Sequence, residues 1–314
     1  GNFDGVHLGH QAMLDKAKSL AKSQQLASMV MIFEPQPREF FSPQTAPARL
    51  TNLAEKTQLI AEHRIDSLIV ANFDNDFRNL SAHDFAKMLV KLNVKHLVLG
   101  DDFRFGHDRT GDSEFLRAFG LPVQILHTVT DHAHQDERVS STRIRDCLQQ
   151  GDLATAKYLL GRDYAITGMV EHGDKIGRIL DFPTANIALN RIKPALHGIF
   201  AVSVTATDGT DLSTLGRNSQ TGVQGLTKGS LFGACNVGTR PALKNKYGVE
   251  WRLEVNFPKF DGDLYGRELT VTFLHFLHGE INYPSLDALK QGIAQDVVDL
   301  LDWREQQAFA KSCP

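Results

Sequence analysis

The chain has 314 residues, of which 42% are hydrophobic and 23% are charged, and its formal net charge is −3. This length accommodates two domains with sizeable cores, and the composition is ordinary for a globular protein. The near balance of charge gives no basic surface field, so we expect neither a nucleic-acid nor a membrane partner. No apolar run approaches the roughly 20 residues of a membrane span. The three cysteines are scattered, which predicts neither a metal site nor a disulfide framework and favours a reducing cytoplasm.

The first ten residues, GNFDGVHLGH, place His7 and His10 three positions apart. Apolar residues then recur at helical spacing, so His10 is predicted to open an amphipathic helix. Both imidazoles then share a face with free backbone N–H groups and the positive end of the helix dipole, which favour phosphate. Gly5 and Gly9 leave room for a close ligand. Histidines placed there can stabilise the charge that develops in nucleotidyl transfer, although H-x-G-H alone is equally compatible with an ordinary helix start.

Residues 1 to about 160 alternate short apolar runs with amphipathic stretches. The pattern predicts strands over 27–33, 67–71 and 96–99, and helices over 54–63, 82–92 and 152–160. This alternation indicates a parallel sheet covered on both faces, whose ligands bind beyond the carboxyl ends of the strands. A phosphate loop in such a fold follows a strand, and none precedes Gly1 here, so we interpret this domain as lacking its first strand.

Three further stretches lie near those strand ends. In 33–41, Pro35 and Pro37 are expected to stiffen an extended loop between phenylalanine rings, and 99–106 forms a glycine-bounded charged loop. Taken alone, the first is compatible with a simple turn and the second with a solvated turn. In 140–145, Ser-Ser-Thr-Arg-Ile-Arg, one of the two serines can cap a helix. Arg143 and Arg145 would then oppose the helix dipole, so a bound phosphate explains them better than helix stability does.

The spacing of apolar residues changes in the second half of the chain. Short β-rich segments over 164–170, 198–205, 253–257 and 269–274 predict an antiparallel barrel, followed by a helix over 285–310. The Gly-, Ser- and Thr-rich stretch 207–230 is interpreted as a surface loop.

A second polar constellation occupies 173–186. The backbone amides at Gly173 and Gly177 can cradle phosphate. Thr184 and Asn186 alternate onto one side of an extended segment and offer two hard oxygens, which suit Mg²⁺. In isolation, the same residues are compatible with the wet face of a strand.

Four strings of the first half resemble, in order, the adenylyltransferase half of prokaryotic bifunctional riboflavin kinase/FAD synthetases. They match the family forms N-F-D-G-V-H-x-G-H, F-x-P-x-P, G-D-D-F-R-F-G and S-S-T-x-I-R. The resemblance implies a Rossmann-like nucleotidyltransferase domain over 1–160. It implies catalytic roles for His7 and His10, and ATP contacts from Asn2, Phe3, Asp4, Gly9, Ser141, Thr142 and Arg145. It also implies a flavin-binding wall formed by Phe33, Pro35, Pro37, Asp101, Phe103 and Arg104.

The string 173–187 resembles the riboflavin kinase signature G-x-x-x-G-R-x-x-G-F-P-T-A-N-I. The resemblance implies an antiparallel kinase β-barrel with a terminal helix over 161–314. It implies ATP contacts from Gly173, Gly177 and Arg178, and an Mg²⁺ site at Thr184 and Asn186. The string 253–266 resembles the family form E-V-H-x-x-D-F-x-x-D-L-Y-G, which implies a catalytic base at Glu254.

The sequence departs from the family pattern at Asp181, Ala242 and His278, where relatives usually carry glycine, threonine and arginine. It departs again at Asn256, Pro258 and Lys259, which predicts a bent strand after Glu254.

The resemblance thus implies an α/β plus β enzyme that phosphorylates riboflavin to FMN and then adenylylates FMN to FAD. Its expected partners are riboflavin, FMN and ATP with Mg²⁺, and we expect a monomer or a weak oligomer. Two alternatives stay open at this point, namely a riboflavin kinase with an inactive first domain and a flavin sensor that binds without turnover.

Overall fold

A computed structural model describes residues 1–131, 137–173, 182–216, 228–241 and 249–312. The chain divides into two compact units. Unit 1 comprises Gly1–Ile144 with Leu159–Gly161, and unit 2 comprises Arg145–Tyr158 with Arg162–Pro314. The predicted boundary at residue 160 stays a prediction, because 145–158 group with unit 2. Within the ranges described, no helix combines the length and the apolar character needed to cross a bilayer.

Unit 1 is built on parallel strand pairs, as the alternation predicts. Its strands are β1 (Met29–Glu34), β2 (Ser67–Asn72), β3 (Leu97–Gly100), β4 (Val123–Leu126), β5 (Thr130–Asp131) and β6 (Glu137–Arg138). β1 pairs with β2 and β3 with β4, both in parallel, whereas β5 and β6 form an antiparallel ribbon. The described residues show no pairing between β1 and β3, and a cavity of about 440 Å³ is lined by both strands. Among the described residues, unit 1 therefore has two separate parallel strand pairs with this cavity between β1 and β3.

Helices alternate with these strands. They are α1 (Leu8–Ser23), α2 (Pro37–Phe41), α3 (Leu53–Glu62), α4 (Asn75–Arg78), α5 (Ala82–Lys91), α6 (Ser113–Ala118), α7 (Ser141–Gln149) and α8 (Leu153–Leu160). Polar caps fix their starts, since the Asn52 side chain accepts from Glu55 N at 2.9 Å while Glu55 Oε2 accepts from Asn52 N at 2.8 Å. Such reciprocal bonds satisfy N–H groups that a helix leaves unpaired.

Unit 2 contains a closed six-stranded antiparallel barrel, which confirms the predicted class. Its strands are β7 (Ala165–Glu171), β8 (Thr184–Ile187), β9 (Gly198–Ala206), β10 (Leu231–Pro241), β11 (Val249–Asn256) and β12 (Glu268–His278). They are hydrogen-bonded in the order β10-β11-β8-β7-β12-β9. Val255, Cys235 and Ile187 are buried, while Glu254, Asn236 and Asn186, which precede or follow them in the chain, are half-buried and lie on the other face.

The C-terminal helix α9 (Leu286–Ser312) packs on the barrel. Leu300 joins a buried cluster with Phe232, and the Trp303 ring stacks on His275 at 5.1 Å. The helix predicted over 285–310 is therefore present.

Three local expectations need correction. Residues 37–41 form helix α2 rather than an extended loop, because proline is well tolerated at the first position of a helix. Helix α1 begins at Leu8 with His7 as its N-cap, so His10 lies inside the first turn. β11 stays in register with β8 through Asn256, and the bend comes later, at Lys259 with φ +63°.

The stretch 207–230 connects β9 to β10, and its described residues agree with the predicted loop. It contains a short 3₁₀ turn, Leu212–Thr214, and a bridge between Gly216 and Gly262. Residues 217–227 lie outside the described part.

Candidate active sites

The two histidines of the opening loop are stacked on one another. The His7 and His10 ring centroids lie 3.7 Å apart, and the ring of Phe3 lies 4.9 Å from that of His10. His7 Nδ1 accepts from the His10 backbone N–H, so a neutral His7 carries its proton on Nε2, where it can donate. Burial, followed by the charges of His7 and Lys56, lowers the pKa of His10 well below its ordinary value. This turn therefore presents imidazole N–H donors at a helix N-terminus.

Side-chain bonds to the backbone hold the opening loop. The Asp4 carboxylate is buried and accepts from Leu50 N at 3.1 Å and from Thr51 N at 3.0 Å. Gly5 has φ +82°, and a Cβ atom there would approach Leu50 Cδ1 to 2.7 Å, so this position requires glycine. The Asp4 side chain thus fastens the loop, and its contact with ATP stays a prediction.

Helix α7 brings one more predicted residue to this loop. Ser141 Oγ donates to the Asp4 carbonyl at 2.8 Å, while Ser140 caps the helix by accepting from Arg143 N. Asp131 and Glu137 each lie 3.0 Å from the Arg143 guanidinium and offset its charge, and a phosphate contact of Arg143 stays a prediction. Asn2 and Thr142 are exposed, and Arg145 lies one turn beyond Ser141 in the segment grouped with unit 2.

The predicted flavin-binding wall is an aromatic cluster at the end of β1. The Phe33 ring lies 6.0 Å from Phe73 and 5.4 Å from Phe77, and Phe73 also meets Phe40 and Phe41. Phe41 is 54% exposed, so the cluster offers flat apolar surface to a ligand. Pro35 is exposed and Pro37 half-buried beside it.

A buried ion network supports this wall. Arg49 Nε donates to Glu39 at 2.8 Å, and its Nη2 donates to Glu34 at 2.8 Å. The Arg49 and Glu39 side chains are almost completely buried. The network therefore fixes α2 relative to the loop before α3.

The predicted stretch 99–106 lies apart from these contacts. A hydrogen bond from Thr128 holds the pKa of Asp101 below its ordinary value, and Asp101 and Arg104 are exposed. The Phe103 ring stacks on Phe105 at 5.6 Å, in the core of unit 1. Their contact with flavin stays a prediction.

The candidate kinase site of unit 2 is a polar row across three neighbouring strands. Asn186 on β8 stands opposite Glu254 on β11, and Glu254 stands opposite Asn236 on β10. Residues directly opposite in an antiparallel pair lie about 4.5–5.5 Å apart, so the row is compact. Arg252 lies 3.5 Å from the Glu254 carboxylate. The Glu254 carboxylate thus lies between two amides on the polar face of the barrel.

The predicted metal ligands share that face. Thr184 lies two residues before Asn186, on the same side of β8. A Cβ atom at Gly173 would collide with the Asn186 amide, which explains the glycine. Gly177, Arg178, Asp181 and Ala242 lie outside the described residues.

Sequence reasoning missed two residues of unit 1, Arg49 and Lys56, and Asn236 of unit 2. Lys56 is fully buried on α3, at helical spacing from the apolar residues Leu53 and Ile60. A lysine at an apolar position of an amphipathic helix was the available signal.

Comparisons with known proteins cover both units. A family model described as FAD synthetase matches residues 1–143, and one described as riboflavin kinase matches residues 160–303. The bifunctional riboflavin kinase/FMN adenylyltransferase of Escherichia coli (strain K12) is 40% identical over 299 residues, covering 94% of this chain and 88% of that protein. The protein of the same name from Pseudomonas fluorescens is 41% identical over 300 residues, covering 95% and 89%.

A crystal structure described as a macrolide-efflux protein from Streptococcus pneumoniae has a TM-score of 0.74 and 28% identity. It aligns with 96% of this chain and 92% of its own. The matched relatives and both family models agree that the chain combines an FAD synthetase region with a riboflavin kinase region. This chain belongs to the bifunctional riboflavin kinase/FMN adenylyltransferase family.

Proposed function

We propose that unit 2 phosphorylates riboflavin to FMN and that unit 1 joins FMN to the adenylyl group of ATP, which gives FAD. The observation that carries this assignment is the in-register row Asn186–Glu254–Asn236, which sets a base beside the predicted metal ligands. The stacked His7 and His10 at a helix N-terminus support the second activity.

In the kinase reaction, Glu254 would accept the proton of the riboflavin 5′-hydroxyl. The hydroxyl oxygen then bonds to the γ-phosphorus of ATP while the bond from that phosphorus to the β-phosphate bridge breaks, so ADP leaves. The Arg252 guanidinium, 3.5 Å from Glu254, favours the ionised carboxylate that a base requires.

The donor set at Thr184 and Asn186 fits Mg²⁺. Both side chains offer neutral, hard oxygens on one face of β8, and such a site relies on substrate phosphates for its remaining ligands. When bound, the ion would offset the negative charge of the ATP phosphates. Thr184 and Asn186 would orient it, and the close approach of the Gly173 backbone would fix the Asn186 amide.

In the adenylylation reaction, a phosphate oxygen of FMN bonds to the α-phosphorus of ATP, and the bond to the pyrophosphate breaks. His7 and His10 would donate to the charged oxygens, with Ser141 and Arg145 as further contacts. No side-chain nucleophile is needed, because positioning and charge neutralisation supply the rate.

The test is chromatographic product analysis after the protein is incubated with riboflavin, ATP and Mg²⁺. We expect FMN to form first and FAD to follow. FMN that accumulates without FAD would show an inactive unit 1. Flavin binding with no product would contradict both activities and favour a sensor.

A further inference from the structure

Unit 1 contains a buried lysine that the mechanism above does not use. Lys56 has no exposed surface, and its Nζ has no hydrogen-bond partner among the described residues. An ammonium group buried without a direct partner is destabilising, so such a group is retained where it has a role other than stability. Burial lowers the pKa of Lys56, as expected for a desolvated ammonium group.

The segment that carries Lys56 joins the histidine loop to the aromatic wall. At its start, Arg49 is bonded to Glu34 and Glu39 of the wall. The next two residues donate their backbone N–H groups to Asp4 of the loop. Lys56 follows in the first turns of α3, whose Ile60 packs in one cluster with Phe3 of the loop. The lysine therefore lies where the two predicted subsites meet.

Electrostatic interactions agree with this position. The charge of Lys56 interacts with Asp4 of the loop and with Glu34 and Glu39 of the wall. It also interacts with His10. A cation near both subsites is suited to holding the attacking phosphate of FMN close to ATP, because this phosphate and the triphosphate of ATP repel each other.

We propose that Lys56 binds the phosphate of FMN and holds this nucleophile between the stacked histidines and the aromatic wall. The proposal rests on the adenylyltransferase function of unit 1. The ligand class is a phosphomonoester dianion. Lys56 contributes charge and hydrogen bonds only, and no proton has to leave it when the new oxygen–phosphorus bond forms and pyrophosphate departs.

The test compares steady-state FAD synthesis from FMN and ATP in the wild-type chain and in Lys56→Met, with Lys56→Gln as a second neutral variant. We expect the KM for FMN to rise about 10- to 100-fold, because a hydrogen bond to a charged group is lost, while the KM for ATP changes little. The melting temperature should stay equal or rise, since an unpaired buried charge is removed. Lys87→Met, an exposed lysine of α5, is the matched control.

Riboflavin phosphorylation by the same variants reports that unit 2 is intact, and the melting temperature reports on unit 1. An unchanged KM for FMN in both neutral variants would overturn the proposal, and so would an equal rise in both KM values. A fall in melting temperature together with lost synthesis would instead assign Lys56 a structural role. A wild-type chain that makes no FAD from supplied FMN would contradict the proposed function itself, which is a separate outcome.

Discussion

The two units differ in which buried polar atoms they leave unpaired. Within the described ranges, the atoms of unit 1 without a hydrogen-bond partner are all nitrogens, namely His10 Nδ1, Gln36 Nε2, Lys56 Nζ and Arg143 Nη1. Those of unit 2 are both amide oxygens, Asn236 Oδ1 and Asn256 Oδ1. Buried polar atoms are nearly always paired, so these atoms are positions where a further hydrogen-bond partner can bind.

This difference matches the chemistry proposed for each unit. Lysine, arginine and the glutamine amide nitrogen can only donate, and phosphate oxygens can only accept. Amide oxygens accept, and they suit a substrate hydroxyl or a cation. The unpaired nitrogens of unit 1 thus suit anionic groups. The unpaired amide oxygens of unit 2 suit a hydrogen-bond donor beside Glu254. The following changes test that contrast.

The largest effect is expected in unit 2, at Glu254. Glu254→Gln keeps the shape but removes the base, and we expect FMN formation to fall by about 10³-fold or more. FAD synthesis from supplied FMN should persist. Glu250→Gln is a matched control, because Glu250 lies on the same strand and also contacts Arg252. Equal phosphorylation rates in the wild type and Glu254→Gln would remove Glu254 from its role.

The complementary change is His10→Ala in unit 1. Loss of one donor to the developing charge should slow adenylylation by about 10²-fold, with riboflavin phosphorylation retained. His10→Asn keeps a neutral N–H donor and should recover part of the rate. If His10→Ala adenylylates FMN at the wild-type rate, the assignment of this histidine is wrong.

A smaller effect is expected at Asp4. Asp4→Asn turns an amide N–H toward backbone donors, and we expect unit 1 to lose about 2 kcal/mol of stability. Adenylylation should then disappear at a lower urea concentration than in the wild type, while the kinase midpoint is unchanged. Asp15→Asn, at a carboxylate that is 60% exposed, is the control. Loss of both activities at the same urea concentration would contradict a stabilising role of Asp4 that is confined to unit 1.

The smallest effect concerns helix α9. His278 Nδ1 lies 2.7 Å from the Gly279 carbonyl, and Nε2 lies 2.8 Å from Asp296 of α9. Both partners accept, so both ring nitrogens must carry protons. Burial lowers the pKa of His278, but the hydrogen bond to Asp296, with further help from Gly279 and the charge of Asp299, raises it overall.

A raised folded-state pKa gives stability that is complete below the ordinary histidine value and is lost as the pH rises through the folded value. The wild-type chain should therefore lose a few degrees of melting temperature between about pH 6 and pH 9 relative to Asp296→Asn. The measurement is the difference between the two chains at each pH. A constant difference would show that this pair does not titrate.

The spacing of apolar residues predicted most elements of the fold to within a few residues, because buried side chains recur at one interval in helices and at another in strands. It failed at α2, where a proline after a strand favours either a loop or a helix start, and only the capping residues Gln36 and Glu39 decide between them. The motifs identified His7, His10 and Glu254. Lys56 and Arg49 could not be assigned a role from the chain alone, because the charged groups around them come from other segments of the chain.

The cross-strand pairing of the kinase row also links activity to folding accuracy. Side chains alternate between the two faces of a strand, so a slip of β11 by one residue would turn Glu254 into the barrel interior and bring Val255 to the polar face. Asn186 and Asn236 would then face an apolar side chain, although the composition of the barrel would be unchanged. Phosphorylation of riboflavin therefore reports that β8, β11 and β10 have paired in a single register.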